Sequence, residues 1–380
     1  MTVDRSEVVV VGAGITGLSV ALHLAEAGVR PLVVEREGVA AGASGVQPGG
    51  MRQQWSTPLN CELARESAAF FADLPARLDS KLPLGFAQCG YAFLAHSEER
   101  LAQLAAAVSV QNAAGIPSRL LSPAEAADAV PGLAIDGLAG ASWCGEDGYF
   151  DRPQSVVEAF AQAAQARGAE LRIADVASLA PDGDGWSIAL RDGSSIRADR
   201  VVLAAGCDTA ALAATAGLTL PIEREARHLF YSEPITRRIL EPLVVAAERH
   251  FAAKQLANGR VLASDLAAVG EPEDGRAEWL GNVRTIASDL LPQLTYVSFS
   301  ILVTGFYDVT PDHQPILGAV EGLPGLYLAA GFSGHGFMLA PAVGRRIAGA
   351  VLGGPADNAL EEFSYARFAR GALQRELVTV

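Results

Sequence analysis

A glycine-rich segment near the amino end restricts the fold more than any other feature of this 380-residue chain. The valine run at residues 7–11 is typical of a buried parallel strand, and a GxGxxG pattern follows at residues 12–17. Apolar residues at helical spacing come next, and then a second strand at residues 31–34 that ends on Glu35. This order is typical of a dinucleotide-binding unit, in which a pyrophosphate lies at the helix amino terminus and the carboxylate binds ribose hydroxyls.

A second strand, glycine turn and helix are predicted near the carboxyl end. The segment GFSGHGFMLAPAVG at residues 331–344 follows a predicted strand at residues 325–330. Pro341 is predicted as the first residue of a helix that runs to about Leu352, because proline suits the first helical position. Free amides at a helix amino terminus stabilise negative charge. We therefore expect the two loops to bind opposite ends of one extended ligand, although the glycine pattern alone fits NAD as well as FAD.

The composition excludes several classes of function. A net charge of -14 without a basic patch argues against nucleic acid and anionic lipid as partners. The four cysteines and six histidines show no metal-ligand spacing, so no metal is predicted, and a reduced, cytoplasmic compartment is favoured. No apolar run approaches the roughly 20 residues needed to span a bilayer, and the amino end does not read as a signal peptide.

Further motifs occur in a fixed order along the chain. They are GASG with GGMRQQW, then GYFDRPQSVVEAF, VVLAAG, GFYDVTPDHQPILG and GFSGHGFMLAPAVG. Together they resemble the FAD-dependent amino-acid and amine oxidoreductases of the D-amino-acid oxidase superfamily. The resemblance is strongest to glycine and sarcosine oxidases and to the beta subunits of sarcosine oxidase and proline dehydrogenase. It implies an α/β fold in which a Rossmann-like FAD-binding domain is interlaced with an α+β substrate domain built on a mixed or antiparallel sheet.

The resemblance also divides the chain into two domains. The FAD-binding domain is predicted to comprise residues 1–80, 145–215 and 319–380. The substrate domain is predicted to comprise residues 81–144 and 216–318. The glycine loops and the resemblance together predict these FAD contacts: Gly12, Gly14, Ile15, Thr16, Gly17, Glu35, Arg36, Ala43, Ser44, Gln47, Gly49, Val176, Ala205, Gly206, Gly331, Gly334, His335, Gly336, Phe337 and Met338.

The predicted substrate site departs from the family pattern in two ways. Glycine and D-amino-acid oxidases carry a carboxylate-binding arginine two residues after a glycine in the strand before the DxxP turn, but Tyr307 follows Gly305 here. Monomeric sarcosine oxidases attach their flavin to a cysteine near the position of Gly305, and no cysteine stands there. The resemblance therefore implies non-covalent FAD and another cation for the substrate.

Arg52 and Lys254 are the predicted catalytic residues. Arg52 resembles a flavin-proximal arginine of sarcosine oxidases and is also predicted to bind substrate, while Lys254 resembles the lysine that activates oxygen. His228, Tyr231 and Met338 are predicted to line the substrate pocket, although a histidine in a sheet more often has a structural role.

These features predict a FAD-dependent oxidoreductase that oxidises the C–N bond of a small amino acid or N-substituted glycine of the sarcosine, proline or glycine type. Hydride transfer to the flavin leaves an imine, which is hydrolysed. The predicted electron acceptor is oxygen or a redox partner. One alternative is a flavin-carrying subunit of a hetero-oligomer without turnover of its own. A flavin monooxygenase or a NAD enzyme is a weaker alternative.

Overall fold

The computed structural model describes residues 4–378, which form three β-sheets and their covering helices. In chain order the strands are β1 (Asp4–Val11), β2 (Leu32–Glu35), β3 (Gly50–Met51), β4 (Phe86–Ala87), β5 (Tyr91–Ala95), β6 (Arg119–Leu121), β7 (Gly140–Cys144), β8 (Gly148–Phe150), β9 (Glu170–Ile173), β10 (Val176–Asp182), β11 (Gly185–Leu190), β12 (Ser195–Leu203), β13 (Glu223–Ser232), β14 (Leu243–Ala246), β15 (Phe251–Gln255), β16 (Val261–Asp265), β17 (Phe299–Val309), β18 (Ile316–Ala319) and β19 (Leu326–Ala330). The helices are α1 (Ile15–Glu26), α2 (Ala43–Val46), α3 (Pro58–Ala72), α4 (Leu74–Leu78), α5 (Glu98–Ala113), α6 (Pro123–Ala129), α7 (Pro153–Ala166), α8 (Thr209–Thr215), α9 (Pro272–Leu290), α10 (Gly336–Val351), α11 (Asn358–Glu362) and α12 (Ala366–Arg370).

The first large sheet has a parallel core with both glycine loops at the carboxyl ends of its strands. Strand β1 pairs in parallel with β2 and β12, β2 pairs with β9, and β19 pairs with the last residues of β12. The hairpin of β10 and β11 extends the amino half of β12, and β18 lies antiparallel to β19. Strands β1 and β19 therefore deliver their glycine loops to the same edge of one sheet.

The second large sheet covers this edge. Its order is β17-β13-β16-β15-β14-β5-β7-β6, and β5 and β14 form its parallel pair. Helix α9 packs on one face through Trp279 and Val283, which join the cluster around Phe230. The other face, which includes Tyr91, Lys254 and Leu262, is directed toward the glycine loops. Strands β3, β8 and β4 form a small third sheet.

The chain alternates between the two large sheets. The first sheet takes its strands from residues 4–35, 170–203 and 316–330, and the second takes them from residues 91–144 and 223–309. This architecture confirms the predicted α/β fold class with a mixed second sheet. The domain boundaries themselves remain a prediction.

Helix α10 begins earlier than its proline suggests. The helix starts at Gly336, so Pro341 is its sixth residue rather than its first, and the prediction of its start was wrong. The His335 amide donates to the Phe332 carbonyl, and this turn starts the helix five residues before the proline. Close packing on α1 holds the helix in place, because a Cβ on Gly344 would lie 2.2 Å from Ser19 Oγ.

Within residues 4–378 no helix is both long and apolar enough to cross a membrane. The same residues contain no group of three or more histidine, cysteine or acidic side chains placed to hold a metal ion.

Candidate active site

The first glycine loop brings two parallel strands and a helix into close approach. Gly12 has a φ of 108°, and a Cβ there would lie 2.4 Å from the Ala204 carbonyl oxygen at the end of β12. A Cβ on Gly17 would lie 2.1 Å from the Gly12 oxygen. Both positions therefore require glycine, since any side chain would push α1 away from the sheet.

Glu35 ties this loop to the end of β2. One carboxylate oxygen accepts a hydrogen bond from the Ala13 amide at 2.8 Å, and the other accepts from the Glu37 amide at 2.9 Å. Each oxygen has a further lone pair for a ligand hydroxyl. Arg36 forms an ion pair with Asp208 at 3.2 Å. Glu35 thus stands where the dinucleotide pattern places the ribose-binding acid.

The second glycine loop is tied to the other sheet. Asp308 in β17 accepts a hydrogen bond from the Gly331 amide at 2.7 Å, and its backbone oxygen accepts from the Ser333 amide at 3.0 Å. Burial raises the pKa of the Asp308 carboxyl to about 6. Gly334 has a φ of 90°, and a Cβ there would lie 2.3 Å from Tyr307 Cε2. The turn therefore holds the start of α10 against β17, a strand of the second large sheet.

One cavity joins the two loops to the face of the second sheet. This central cavity has a volume of about 650 Å³ and reaches from Glu35 and Val176 at one end to Lys254 and Tyr307 at the other. Seventeen of the predicted site residues line it: Gly12, Gly14, Ile15, Thr16, Glu35, Arg36, Ala43, Ser44, Gln47, Val176, Ala205, Gly206, His228, Lys254, Gly334, Gly336 and Phe337. The other predicted residues, Gly17, Gly49, Arg52, Tyr231, Gly331, His335 and Met338, lie outside its lining.

The hydrogen-bonding groups along this cavity fit an anionic dinucleotide with a polar ring system. Within residues 4–378 the amides of Thr16 and Gly17 at the start of α1 have no acceptor. The first-turn amides of α10, at residues 336–338, also lack one in that part of the chain. The buried Gln47 Nε2 has no partner either. Such groups are satisfied by ligands at helix amino termini, so the cavity has donors for a pyrophosphate at one loop and for ring carbonyls at the other.

Arg52 is completely buried but points away from the central cavity. Its guanidinium donates to the backbone oxygens of Gln54 and Val378, the latter at 2.6 Å, and lies 3.9 Å from the Trp55 ring centroid. The same group contacts His335 Nε2 at 3.4 Å. Burial lowers the pKa of Arg52, and burial with the nearby Arg52 charge lowers that of His335 well below its usual value. Two of its nitrogens donate to the protein, whereas the buried Nε has no partner within residues 4–378. The roles predicted for Arg52 remain predictions.

Lys254 faces the central cavity from β15. It is 2% exposed, its ammonium donates to the Pro48 carbonyl, and its nitrogen lies 4.1 Å from the Tyr149 ring centroid. Burial lowers its pKa to about 7. The chain contains only one other lysine, the exposed Lys81. A buried cation held by one carbonyl and one aromatic face is well placed to act on a ligand beside it.

The other predicted pocket residues differ in orientation. His228 donates through Nε2 to the Gly270 oxygen at 3.1 Å and accepts at Nδ1 from Thr304 Oγ1 at 3.0 Å. Its ring stacks on Trp279 of α9, although the residue also contributes to the lining of the central cavity. Tyr231 follows on the same strand and shares the sheet face of its cross-strand neighbour Leu262. Met338 packs in the core beneath α10.

Sequence reasoning missed three residues at the substrate end. Arg227, Tyr91 and Tyr307 line the cavity beside Lys254. Arg227 lies in β13 opposite Gly305, and none of the motifs quoted above includes it. Tyr307 had been noted only as the place where the family arginine is missing.

Comparison with known proteins agrees with this geometry. The model of the DAO family, described as FAD dependent oxidoreductase, matches residues 7–350. FAD-dependent oxidoreductase domain-containing protein 1 of Bos taurus is 30% identical over 98% of this chain and 87% of its own length. Glycine oxidase of Geobacillus kaustophilus is 28% identical over 91% of this chain and 93% of its own. The crystal structure of L-proline dehydrogenase from P. horikoshii superposes with a TM-score of 0.90 at 29% identity, over 98% of this chain and all of that one.

These matches extend through both sheets and both glycine loops rather than through the dinucleotide-binding unit alone. The chain therefore belongs to the DAO family of FAD-dependent oxidoreductases, and FAD is its cofactor.

Proposed function

We propose that the protein oxidises the C–N bond of a small amino acid or N-substituted glycine, of the proline, sarcosine or glycine type, and that the imine product is hydrolysed. The central cavity carries this proposal, because it continues past the second glycine loop to a sheet face with one buried cation and two phenols. The names of two similar proteins, a glycine oxidase and an L-proline dehydrogenase, support the same substrate class. Bound FAD supplies the hydride acceptor that such an oxidation requires.

The protein's own residues are left to bind and orient the substrate. Burial raises the pKa of Tyr91 and of Tyr307, so both hydroxyls stay protonated at neutral pH and can donate hydrogen bonds. Leu243 and Leu262 supply apolar wall on the same side of the cavity. This combination suits a small substrate with one polar end and a short aliphatic body.

Lys254 adds a positive charge whose presence depends on pH. With a pKa of about 7 the ammonium is largely protonated below neutral pH and loses its proton as the pH rises through 7. A desolvated cation stabilises negative charge that develops near it, and oxygen reduction is one process that develops such charge. We propose oxygen as the electron acceptor on this basis.

An anaerobic substrate screen tests the activity. Purified protein should show flavin absorbance near roughly 370 and 450 nm, and an active substrate should bleach it. We expect bleaching by at least one of proline, sarcosine, glycine, D-amino acids and iminodiacetate. Protein that holds FAD but is bleached by none of these would contradict the proposal and favour a flavin-carrying subunit that turns over only in a complex.

The role of Lys254 is tested by reoxidation in air. Lys254→Met should slow reoxidation about 100-fold, the usual cost of losing one electrostatic contributor. The wild-type rate should fall as the pH rises through 7, and the variant rate should be flat over that range. Lys81→Met, which removes the chain's exposed lysine, is the matched control. Equal reoxidation rates in wild type and Lys254→Met would remove Lys254 from the mechanism.

A further inference from the structure

We propose that Arg227 and the Tyr307 hydroxyl together bind the substrate carboxylate, so that the cation is supplied by β13 instead of β17. This inference rests on the proposed function, since it assumes a substrate that carries a carboxylate. Arg227 and Tyr307 would then determine substrate specificity at the site where this chain lacks the carboxylate-binding arginine of glycine and D-amino-acid oxidases.

Strand register brings Arg227 beside the missing family position. Arg227 in β13 is the cross-strand partner of Gly305 in β17, and paired residues share one face of a sheet. A Cβ on Gly305 would lie 2.6 Å from Val46 Cγ2 at the end of α2. With no side chain on its partner, Arg227 extends along β17, and its guanidinium carbon lies 5.3 Å from the Tyr307 ring centroid.

Tyr307 fixes this pair at the end of the cavity where the second glycine loop stands. Its ring lies directly against Gly334, two residues before the start of α10. Within residues 4–378 the Tyr307 hydroxyl has no hydrogen-bond partner, although the side chain is partly buried and lines the cavity. Burial raises its pKa, so the hydroxyl is present as a donor. The hydroxyl is not among the buried polar atoms that lack a partner, so it is open to the cavity and can donate to a ligand oxygen there.

The guanidinium of Arg227 has hydrogen-bond donors that the protein does not use. Its Nη1 is used by the Glu225 carboxylate and lies 3.5 Å from the Ala226 oxygen. Its Nε and Nη2 have no partner among residues 4–378, and the side chain is 23% exposed. The Nε–Nη2 edge is one that forms parallel hydrogen bonds with a carboxylate. Glu225 holds the group in place and leaves that edge for the substrate.

The other candidate cations are less suited to this task. Arg52 donates to two backbone oxygens and lies outside the cavity lining. Lys254 is a point charge already bonded to the Pro48 oxygen, and its pKa of about 7 leaves it only partly charged at neutral pH. An arginine stays charged over the whole working range and offers a planar pair of donors.

The test measures binding of unreactive isosteres to FAD-loaded protein by the change in flavin absorbance. Methoxyacetate and cyclopentanecarboxylate replace the amine of sarcosine and proline, and their primary amides lack the charge. In Arg227→Met we expect the dissociation constant of the better carboxylate to rise roughly 10- to 100-fold, the usual effect of losing hydrogen bonds to a charged group. Binding of the amides should change little. Arg227→Lys should lose less affinity than Arg227→Met, because lysine keeps the positive charge. It should still bind more weakly than the wild type, because lysine lacks the planar pair of donors.

Arg276→Met is the matched control, because it removes an exposed arginine from α9, the helix that packs on the same sheet, where its side chain donates to the Ser300 oxygen. FAD content and thermal unfolding of each variant show that it is folded. Carboxylate binding in FAD-loaded Arg227→Met that equals the wild type would overturn the assignment, as would wild-type protein that binds neither carboxylate. Failure of the proposed function looks different, because the wild type would then bind a carboxylate isostere and yet be bleached by no amine.

Discussion

The two glycine loops have the same plan but are held by different parts of the molecule. The first loop follows β1 and is tied to the end of β2 through Glu35, within 35 residues of chain. The second loop follows β19 and is tied through Asp308 to β17, a strand of the other large sheet. The first loop is thus held within one sheet, whereas the second loop connects the two large sheets.

The two loops therefore meet different requirements at the two ends of one cofactor. The end beside Glu35 only has to hold a phosphate and a ribose, so a local unit suffices. In the proposed function the end beside Gly334 has to meet the substrate, and the second loop lies directly against Tyr307 there. The comparison predicts that damage to the first loop costs cofactor binding, while damage to the second costs substrate binding first.

The largest effect is expected from Gly12→Ala in the first loop. The new Cβ would lie 2.4 Å from the Ala204 oxygen, and the backbone has a φ of 108°. Overpacking and strain together should destabilise the protein by about 3 kcal/mol or more and abolish FAD retention. FAD per chain after purification is the measurement, with Gly38→Ala as the control, since a Cβ there meets nothing within 4 Å. Full FAD content in Gly12→Ala would contradict the prediction that cofactor binding depends on the first loop.

Gly334→Ala should have an intermediate effect of another kind. Its Cβ would lie 2.3 Å from the Tyr307 ring, so the ring must shift at a cost of about 1–3 kcal/mol. We expect FAD to be retained while KM for the amine rises more than kcat falls. Adding Tyr307→Ala should restore part of the lost thermal stability, because it removes the clash. Loss of FAD without any loss of substrate affinity would show that the two loops do not divide their tasks.

The last effect is gradual and concerns the pH dependence of the contact between Asp308 and the second loop. Since burial raises the Asp308 pKa from 3.8 to about 6, the folded protein binds a proton there that the unfolded chain releases between pH 4 and 6. Stability from this group is therefore highest near pH 4 and falls as the pH rises to 7, by no more than about 2–3 kcal/mol. Asp308→Asn should remove that slope while its amide oxygen still accepts from Gly331.

Urea unfolding at pH 4.5, 6 and 7 measures the difference between wild type and Asp308→Asn. The exposed Asp136→Asn controls for the lost charge. If the difference in unfolding free energy between the two proteins did not change with pH, Asp308 would have an ordinary pKa in the folded protein.

Much of the fold follows from local sequence patterns. The valine run, the GxGxxG loop and Glu35 predicted the first βαβ unit. Proline failed as a signal for α10, because hydrogen bonds of the preceding turn decide where that helix begins. Lys254 and most of the FAD contacts predicted from the sequence line the cavity, whereas Arg52 does not.

The sequence by itself determined the family, the cofactor and the first loop, because the contacts that specify them join neighbours in the chain. Only the tertiary structure decided which side chains meet at the substrate end. Arg227 and Tyr307 are 80 residues apart, and the register of β13 on β17 brings them together at Gly334. Register and sheet packing depend on the sum of many weak contacts, so no single motif reveals such a pair.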